Sequence, residues 1–94
     1  MVVLILRKAK EGIKGKVTRW LSEVGPGIYL GRLSARVREK LWLRVVDEMG
    51  DEAGAVLVWS DQTEQGYSVR TAGAPAYGFR DFEGLWLAER RKSA

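Results

Sequence analysis

The sequence predicts an α+β sandwich in which two helices cover one face of a mainly antiparallel sheet. Three observations support this fold class. Residues 2–6 form a continuous apolar run, which is typical of a central strand covered on both faces. Two stretches follow in which apolar residues recur every three or four positions, as on one side of a helix. Residues 53–59 and 67–71 are strand-like and flank a polar turn, which predicts a β-hairpin.

The first helix is expected to end at Gly25, because Pro26 does not continue a helix. Its buried side is assigned to Ile13, Val17, Trp20, Leu21 and Val24. The cations Lys14, Lys16 and Arg19 lie off this side and are placed near the start of the helix. Basic side chains beside the free N–H groups of a helix start attract phosphate.

A short strand over residues 28–30 is expected next, alone between the two helices. Ser34 is a suitable N-cap for a second helix that runs from Ala35 to about Met49. The buried side of that helix comprises Val37, Leu41, Val45 and Met49, widened by Trp42 and Val46. Arg36, Lys40 and Arg44 recur every four residues and form a basic stripe, with Arg38 beside it on the first turn.

The predicted order is β-α-β-α-β-β with a last short strand at Leu85, Trp86 and Leu87. Two helices on one face of such a sheet predict a ferredoxin-like sandwich. The 94 residues suffice for one such domain, 1–94, with a polar tail over about 88–94. The final apolar strand would be covered by a second copy, so a homodimer is expected.

Composition excludes several kinds of chemistry. The chain has no Cys and no His, so disulfides, thiolate nucleophiles, histidine bases and the usual zinc sites are excluded. Residues 1–46 hold eleven basic and three acidic side chains, whereas residues 47–94 hold five and nine. The basic half suits a polyanion, and the acidic half suits a basic protein. The apolar start is too short for a membrane span, so a soluble, cytoplasmic protein is expected, with no membrane partner.

A metal-dependent nuclease would require converging carboxylates, and the sequence offers only scattered ones. The first strand ends in Arg7 rather than in an acid. Asp61, Glu64 and Asp81 remain as candidates for the alternative, a magnesium-dependent endonuclease. Binding of duplex DNA by charge and shape needs less exact geometry. Stacking on bases is not expected from Trp20 or Trp42, because both are assigned to buried helix sides.

The motif GIYLGRLSARVREKLW, with WLSEV before it and WSDQTEQGY after it, resembles the CRISPR-associated protein two family, subtype I-E branch. The resemblance extends over residues 2–87. It implies a ferredoxin-like homodimer that contributes to antiviral defence by spacer acquisition. Such a subunit bridges the integrase dimers of the adaptation complex and holds the prespacer duplex. Some members of the family are described as metal-dependent ribonucleases or deoxyribonucleases.

Carried over position by position, the resemblance implies DNA contacts at Lys14, Lys16 and Arg36. Arg38 and Arg80 are added as further candidates. Leu85, Trp86 and Leu87 are the expected dimer or partner interface. The acidic position that nuclease accounts of the family use for the metal is occupied by Arg7, so no catalytic or metal-binding residue is assigned. No cofactor is expected, and magnesium would be needed only for the nuclease alternative. A third alternative is a ferredoxin-like RNA binder unconnected with CRISPR.

Overall fold

Five antiparallel strands form one sheet, and two helices pack on one of its faces. The structure is a computed structural model that describes residues 1–73 of the chain. The elements in chain order are β1 (Val2–Arg7), α1 (Glu11–Val17), β2 (Ser22–Gly25), β3 (Ile28–Gly31), α2 (Ala35–Glu48), β4 (Gly54–Ser60) and β5 (Tyr67–Gly73). The sheet order is β2-β3-β1-β4-β5. The first six elements give the β-α-β-β-α-β order of a ferredoxin-like fold, which confirms the predicted fold class, and β5 extends the sheet.

The core lies between the sheet and the helices. On β1, Val2, Leu4 and Leu6 point into it and are almost fully buried. Ile13 and Val17 of α1 and Leu41, Trp42 and Val45 of α2 complete it from the helical side. Val3 and Ile5 face the other way and are only half-buried. The prediction that β1 is covered on both faces is therefore wrong in part, because the helices cover one face only.

The first helix is shorter than the sequence predicts. It ends at Val17, and the backbone then turns, with Thr18 Oγ1 donating to the Gly15 carbonyl over 2.7 Å. Leu21 is buried as expected, but Trp20 and Val24 are 52% and 59% exposed. Gly12 and Gly15 weaken a helix that would otherwise continue. The prediction of a helix that reaches Gly25 is therefore wrong.

Residues 22–31 form a hairpin instead of a helix end and a lone strand. The pairing of Gly25 with Ile28 leaves Pro26 and Gly27 as the two turn residues. Gly27 has a φ of 74°, and proline followed by a glycine of positive φ is the pattern of a type II turn. The expectation that only one short strand lies between the helices is therefore wrong, since β2 pairs with β3.

The second half of the described chain follows the sequence prediction. Ser34 caps α2, and its Oγ accepts a hydrogen bond from the Val37 N–H at 3.2 Å. β4 and β5 pair over their full length as an antiparallel hairpin. Val46 is 40% exposed, so the buried side of α2 is narrower than expected. The predicted final strand at residues 85–87 and the tail lie outside the described residues.

Within residues 1–73, neither helix has the length and apolar character needed to cross a bilayer.

Candidate nucleic-acid interface

The cations predicted to contact DNA on α1 lie in the last turn of that helix, not at its start. Lys14 Nζ is 3.5 Å from a carboxylate oxygen of Glu11. Lys16 reaches across to α2 and donates to Glu48 Oε1 over 2.7 Å. Their charges complement the helix dipole, which favours cations near the C-terminal end. The free N–H groups at the start of α1 are therefore too far away to assist these lysines. Any attraction of phosphate to Lys14 and Lys16 comes from the lysine charges alone.

Arg36 and Arg38 follow each other closely on α2 but have different surroundings. Arg36 is exposed on the first turn. The guanidinium of Arg38 lies 4.1 Å from the ring centroid of Trp59 and also donates to Glu39 Oε2. Its side chain is only 17% exposed. Arg36 is therefore open to a phosphate, whereas Arg38 is held against β4 by a cation–π contact and an ion pair.

The stack of Arg38 on Trp59 belongs to a wider polar network that joins α2 to the β4–β5 hairpin. Glu39 Oε1 accepts a hydrogen bond of 2.6 Å from Arg70 on β5. At the hairpin turn, Asp61 Oδ2 accepts from the Ser68 hydroxyl over 2.5 Å. That bond, followed by the Gln62 N–H and the nearby Arg38 charge, lowers the pKa of Asp61. The bond from Arg70 to Glu39 fixes the hairpin against the helix, and the bonds to Asp61 hold the hairpin turn itself.

A groove between the end of α1 and the side of α2 concentrates positive charge around an apolar floor. We call it the α1–α2 groove, and its volume is about 380 Å³. Its lining comprises Lys16, Arg19, Trp20, Val37, Lys40, Leu41 and Arg44. Four of these seven side chains are cationic, and the other three are apolar. Of the predicted DNA-binding residues, only Lys16 belongs to it.

Glu48 is placed at the edge of this charge cluster and binds two of its cations. Besides the bond from Lys16, one of its carboxylate oxygens lies 3.6 Å from Arg44. The hydrogen bond from Lys16, with the charges of both cations, holds the pKa of Glu48 below its ordinary value. Glu48 therefore stays ionised and neutralises part of the positive field of the groove.

Sequence reasoning identified some of these groove residues and missed others. The four-residue spacing of Lys40 and Arg44 indicated a basic stripe, although neither residue was singled out for DNA contact. The sequence prediction places Trp20 on the buried side of α1, because it extends that helix too far. Pro26-Gly27 is also a typical turn of a β-hairpin. Interpreted in that way, it predicts a strand before the turn, an earlier end of the helix and an exposed Trp20.

The sequence model of the family described as CRISPR-associated protein (Cas_Cas2CT1978) matches residues 1–87. The chain belongs to this CRISPR-associated family. The match extends over both helices and all five described strands, so the predicted resemblance to a Cas2-like CRISPR protein is confirmed at the level of the family.

The carboxylates considered for the nuclease alternative do not converge in the described part of this Cas2-like chain. Asp61 and Glu64 are both exposed in the β4–β5 turn, and Asp61 is already bonded to Ser68 and Gln62. Residues 1–73 contain no group of three or more His, Cys, Asp or Glu side chains placed to hold a metal ion. Arg7 is exposed at the end of β1. Arg80, Asp81 and the predicted interface Leu85, Trp86 and Leu87 lie outside the described residues.

Proposed function

We propose that this chain is the structural, duplex-DNA-binding subunit of a CRISPR adaptation complex. In this role it bridges integrase dimers and holds the prespacer duplex during spacer acquisition, as in the subtype I-E branch. The observation that carries the proposal is the row of cations on the helical side of a chain whose family is CRISPR-associated. Lys14, Lys16 and Arg36 lie on the two helices of that side.

The helical side suits a phosphate backbone better than it suits a small anion. Its cations are distributed over two helices, and Lys16 and Arg44 already share Glu48. Each cation therefore contributes one exchangeable contact rather than one arm of a closed site. Recognition by such contacts releases counterions and is largely independent of base sequence.

The opposite sheet face supports a homodimer. The alternation along the strands places apolar side chains on this face, which the two helices do not cover. We call it the open sheet face, and its apolar members are Val3, Ile5, Ile28, Leu30, Val56, Val58 and Val69. Ile28 is 38% exposed, Val56 is buried, and the others are half-buried. A contiguous apolar surface of this kind is typical of an interface, and a second copy would provide a matching one.

The test of the DNA proposal measures affinity for a short duplex against salt concentration. The Lys14→Ala, Lys16→Ala double variant should bind more weakly, and its log–log salt slope should be lower by about one unit per lost phosphate contact. Lys8→Asn is the matched control. Lys8 lies in the connection between β1 and α1 with a φ of 58°, which Asn tolerates. An unchanged slope in the double variant would show that duplex DNA uses another face.

The bridging part of the proposal concerns the integrase and rests on the acidic second half of the chain. A dimeric Trp86→Ala variant should lose binding to the integrase in a pull-down, because a single aromatic side chain often dominates such interfaces. Retention of wild-type binding would place the integrase contact elsewhere without affecting the DNA test.

A further inference from the structure

Trp20 is the unusual member of the α1–α2 groove. Tryptophan side chains are highly buried on average, whereas Trp20 is 52% exposed where it lines the groove. It follows α1 directly, beside Arg19, and faces the α2 side chains Val37 and Leu41 across the groove. An aromatic ring with aliphatic neighbours provides a surface on which another flat ring can stack.

The charges around Trp20 indicate that the ligand is an anion. Lys16 and Arg19 border the groove on the α1 side, and Lys40 and Arg44 border it on the α2 side. Among the described residues, the groove cations form two ion pairs, and both are with Glu48. Asp47 lies beside Lys40 and Arg44 in an adjoining groove, so four cations face two carboxylates, which leaves a surplus of positive charge along the α1–α2 groove.

The size of the groove restricts the ligand further. Its volume of about 380 Å³ lies near the lower end of the range for small-molecule sites, about 300–1,000 Å³. This volume accommodates one flat ring with its attached groups rather than a helix. A nucleotide within a strand provides such a flat ring, with a phosphate on each side of it. The paired bases of a duplex are stacked on one another, so only an unpaired base is free to enter.

We propose that the α1–α2 groove binds an unpaired nucleotide of a single-stranded nucleic acid. The base stacks on Trp20, and the flanking phosphates lie against the cations of the two helices. A positive groove with an aromatic platform is the usual arrangement in proteins that bind single strands without sequence preference. The inference goes beyond duplex binding and does not require it, because only Lys16 of the three residues assigned to DNA contact lies in the groove.

The lining also predicts indifference to the identity of the base. Among the described lining residues, the polar side chains are all Lys or Arg, which in the proposed arrangement face the flanking phosphates, and no amide, hydroxyl or carboxylate side chain of the lining is left to contact a base edge. Stacking is available to every base, since each has a π-face. Oligonucleotides of thymine and of cytosine should therefore bind with similar affinity.

The experiment compares a fluorescently labelled oligothymidine with an abasic deoxyribose-phosphate strand of the same length, using the full chain. Trp20→Ala should weaken oligothymidine binding about tenfold and leave binding of the abasic strand unchanged. Trp20→Phe should restore most of the affinity and remove the quenching of tryptophan emission by bound oligothymidine. Val24→Ala is the matched control, because Val24 is similarly exposed but lies outside the groove lining.

A blunt duplex and polyglutamate separate this inference from the proposed function and from a purely electrostatic site. Trp20→Ala should leave duplex affinity unchanged, whereas the Lys14→Ala, Lys16→Ala variant should lower it. Equal losses for oligothymidine and the abasic strand in Trp20→Ala would overturn the inference, as would no loss for either. It would also be overturned if polyglutamate displaced oligothymidine as effectively as unlabelled oligothymidine does, since the site would then recognise charge alone.

Discussion

The hydroxyl of Tyr29 is a polar group inside an otherwise apolar core. Tyr29 is fully buried on β3, and its hydroxyl oxygen has no hydrogen-bond partner within residues 1–73. Burial, with a smaller effect of the charges of Glu23 and Glu11, raises the pKa of this hydroxyl. An unpaired buried hydroxyl loses its hydration without replacement, so the ring stabilises the fold while the hydroxyl opposes it.

Replacing Tyr29 with Phe should therefore preserve or increase stability. The expected gain in the free energy of unfolding is zero to about 1 kcal/mol, because the change removes only the unpaired group. Urea unfolding followed by circular dichroism measures it. A loss of about 1 kcal/mol or more would show that the hydroxyl makes a hydrogen bond that stabilises the fold.

At the scale of elements, the β2–β3 turn depends on a glycine for two separate reasons. Gly27 has a positive φ, and a Cβ at this position would collide with the carbonyl oxygen of Leu6. The same two residues are joined by a hydrogen bond of 2.7 Å from the Leu6 N–H to the Gly27 carbonyl. The turn is therefore in close contact with the end of β1.

Gly27→Ala should destabilise the protein by about 2–3 kcal/mol, since strain at φ and the collision add together. Gly66→Ala is the matched control. Gly66 has a φ of 90° but no heavy atom within 4 Å of an added Cβ, so only the conformational cost of about 1 kcal/mol applies. Thermal unfolding measures the stability of both variants. Similar losses of stability would show that the predicted collision with Leu6 does not contribute.

Glu48 links the two helices and makes their packing sensitive to acid. Its pKa is lowered in the folded protein, so its stabilising effect is complete above the ordinary value of 4.5 and decreases as the pH falls through the folded pKa. Wild type should therefore be more stable than Glu48→Gln at neutral pH, and the difference in melting temperature should narrow as the pH is lowered below 4.5. A difference that stays constant over this range would exclude the ion pairs as its cause.

The elements also show where sequence reasoning succeeded and where it failed. α2 was predictable because its cap, Ser34, and its apolar period agree over fourteen residues. α1 was not, because Val17, Leu21 and Val24 keep a helical spacing although the chain has already turned. Leu21 is buried beside Gly31, where an added Cβ would come within 2.9 Å of its side chain. A short apolar period cannot distinguish a helix from a turn followed by a strand, and the position of Trp20 depended on that distinction.

At the scale of the whole molecule, the two faces of the sheet have opposite character. The helical side carries the cations and the α1–α2 groove, and the open sheet face carries the apolar side chains. The charges of the first half were visible in the sequence, so a polyanion partner could be expected. The groove itself could not be predicted, because it is created where the end of α1 meets the middle of α2.

The homodimer proposal predicts different effects of a charge on these two faces. Ile28→Lys places a cation in the open sheet face and should convert a dimer to a monomer, because burying an unpaired charge is costly. Leu43→Lys introduces the same charge on α2, where Leu43 is 66% exposed, and should leave the dimer intact. Light scattering measures the mass of each variant. A dimeric Ile28→Lys protein would place the contact outside the open sheet face.

The brevity of α1 has a consequence for hydrogen exchange. Seven residues with two glycines are too few to hold a helix by themselves, so α1 owes its order to Ile13, Val17 and the link from Lys16 to Glu48. Its amides should exchange through local opening, well before those of β1, which is hydrogen-bonded on both sides. A ligand held between α1 and α2 would oppose that opening. Occupancy of the groove should therefore be recorded as slower deuterium uptake in α1, while the uptake of β1 stays the same.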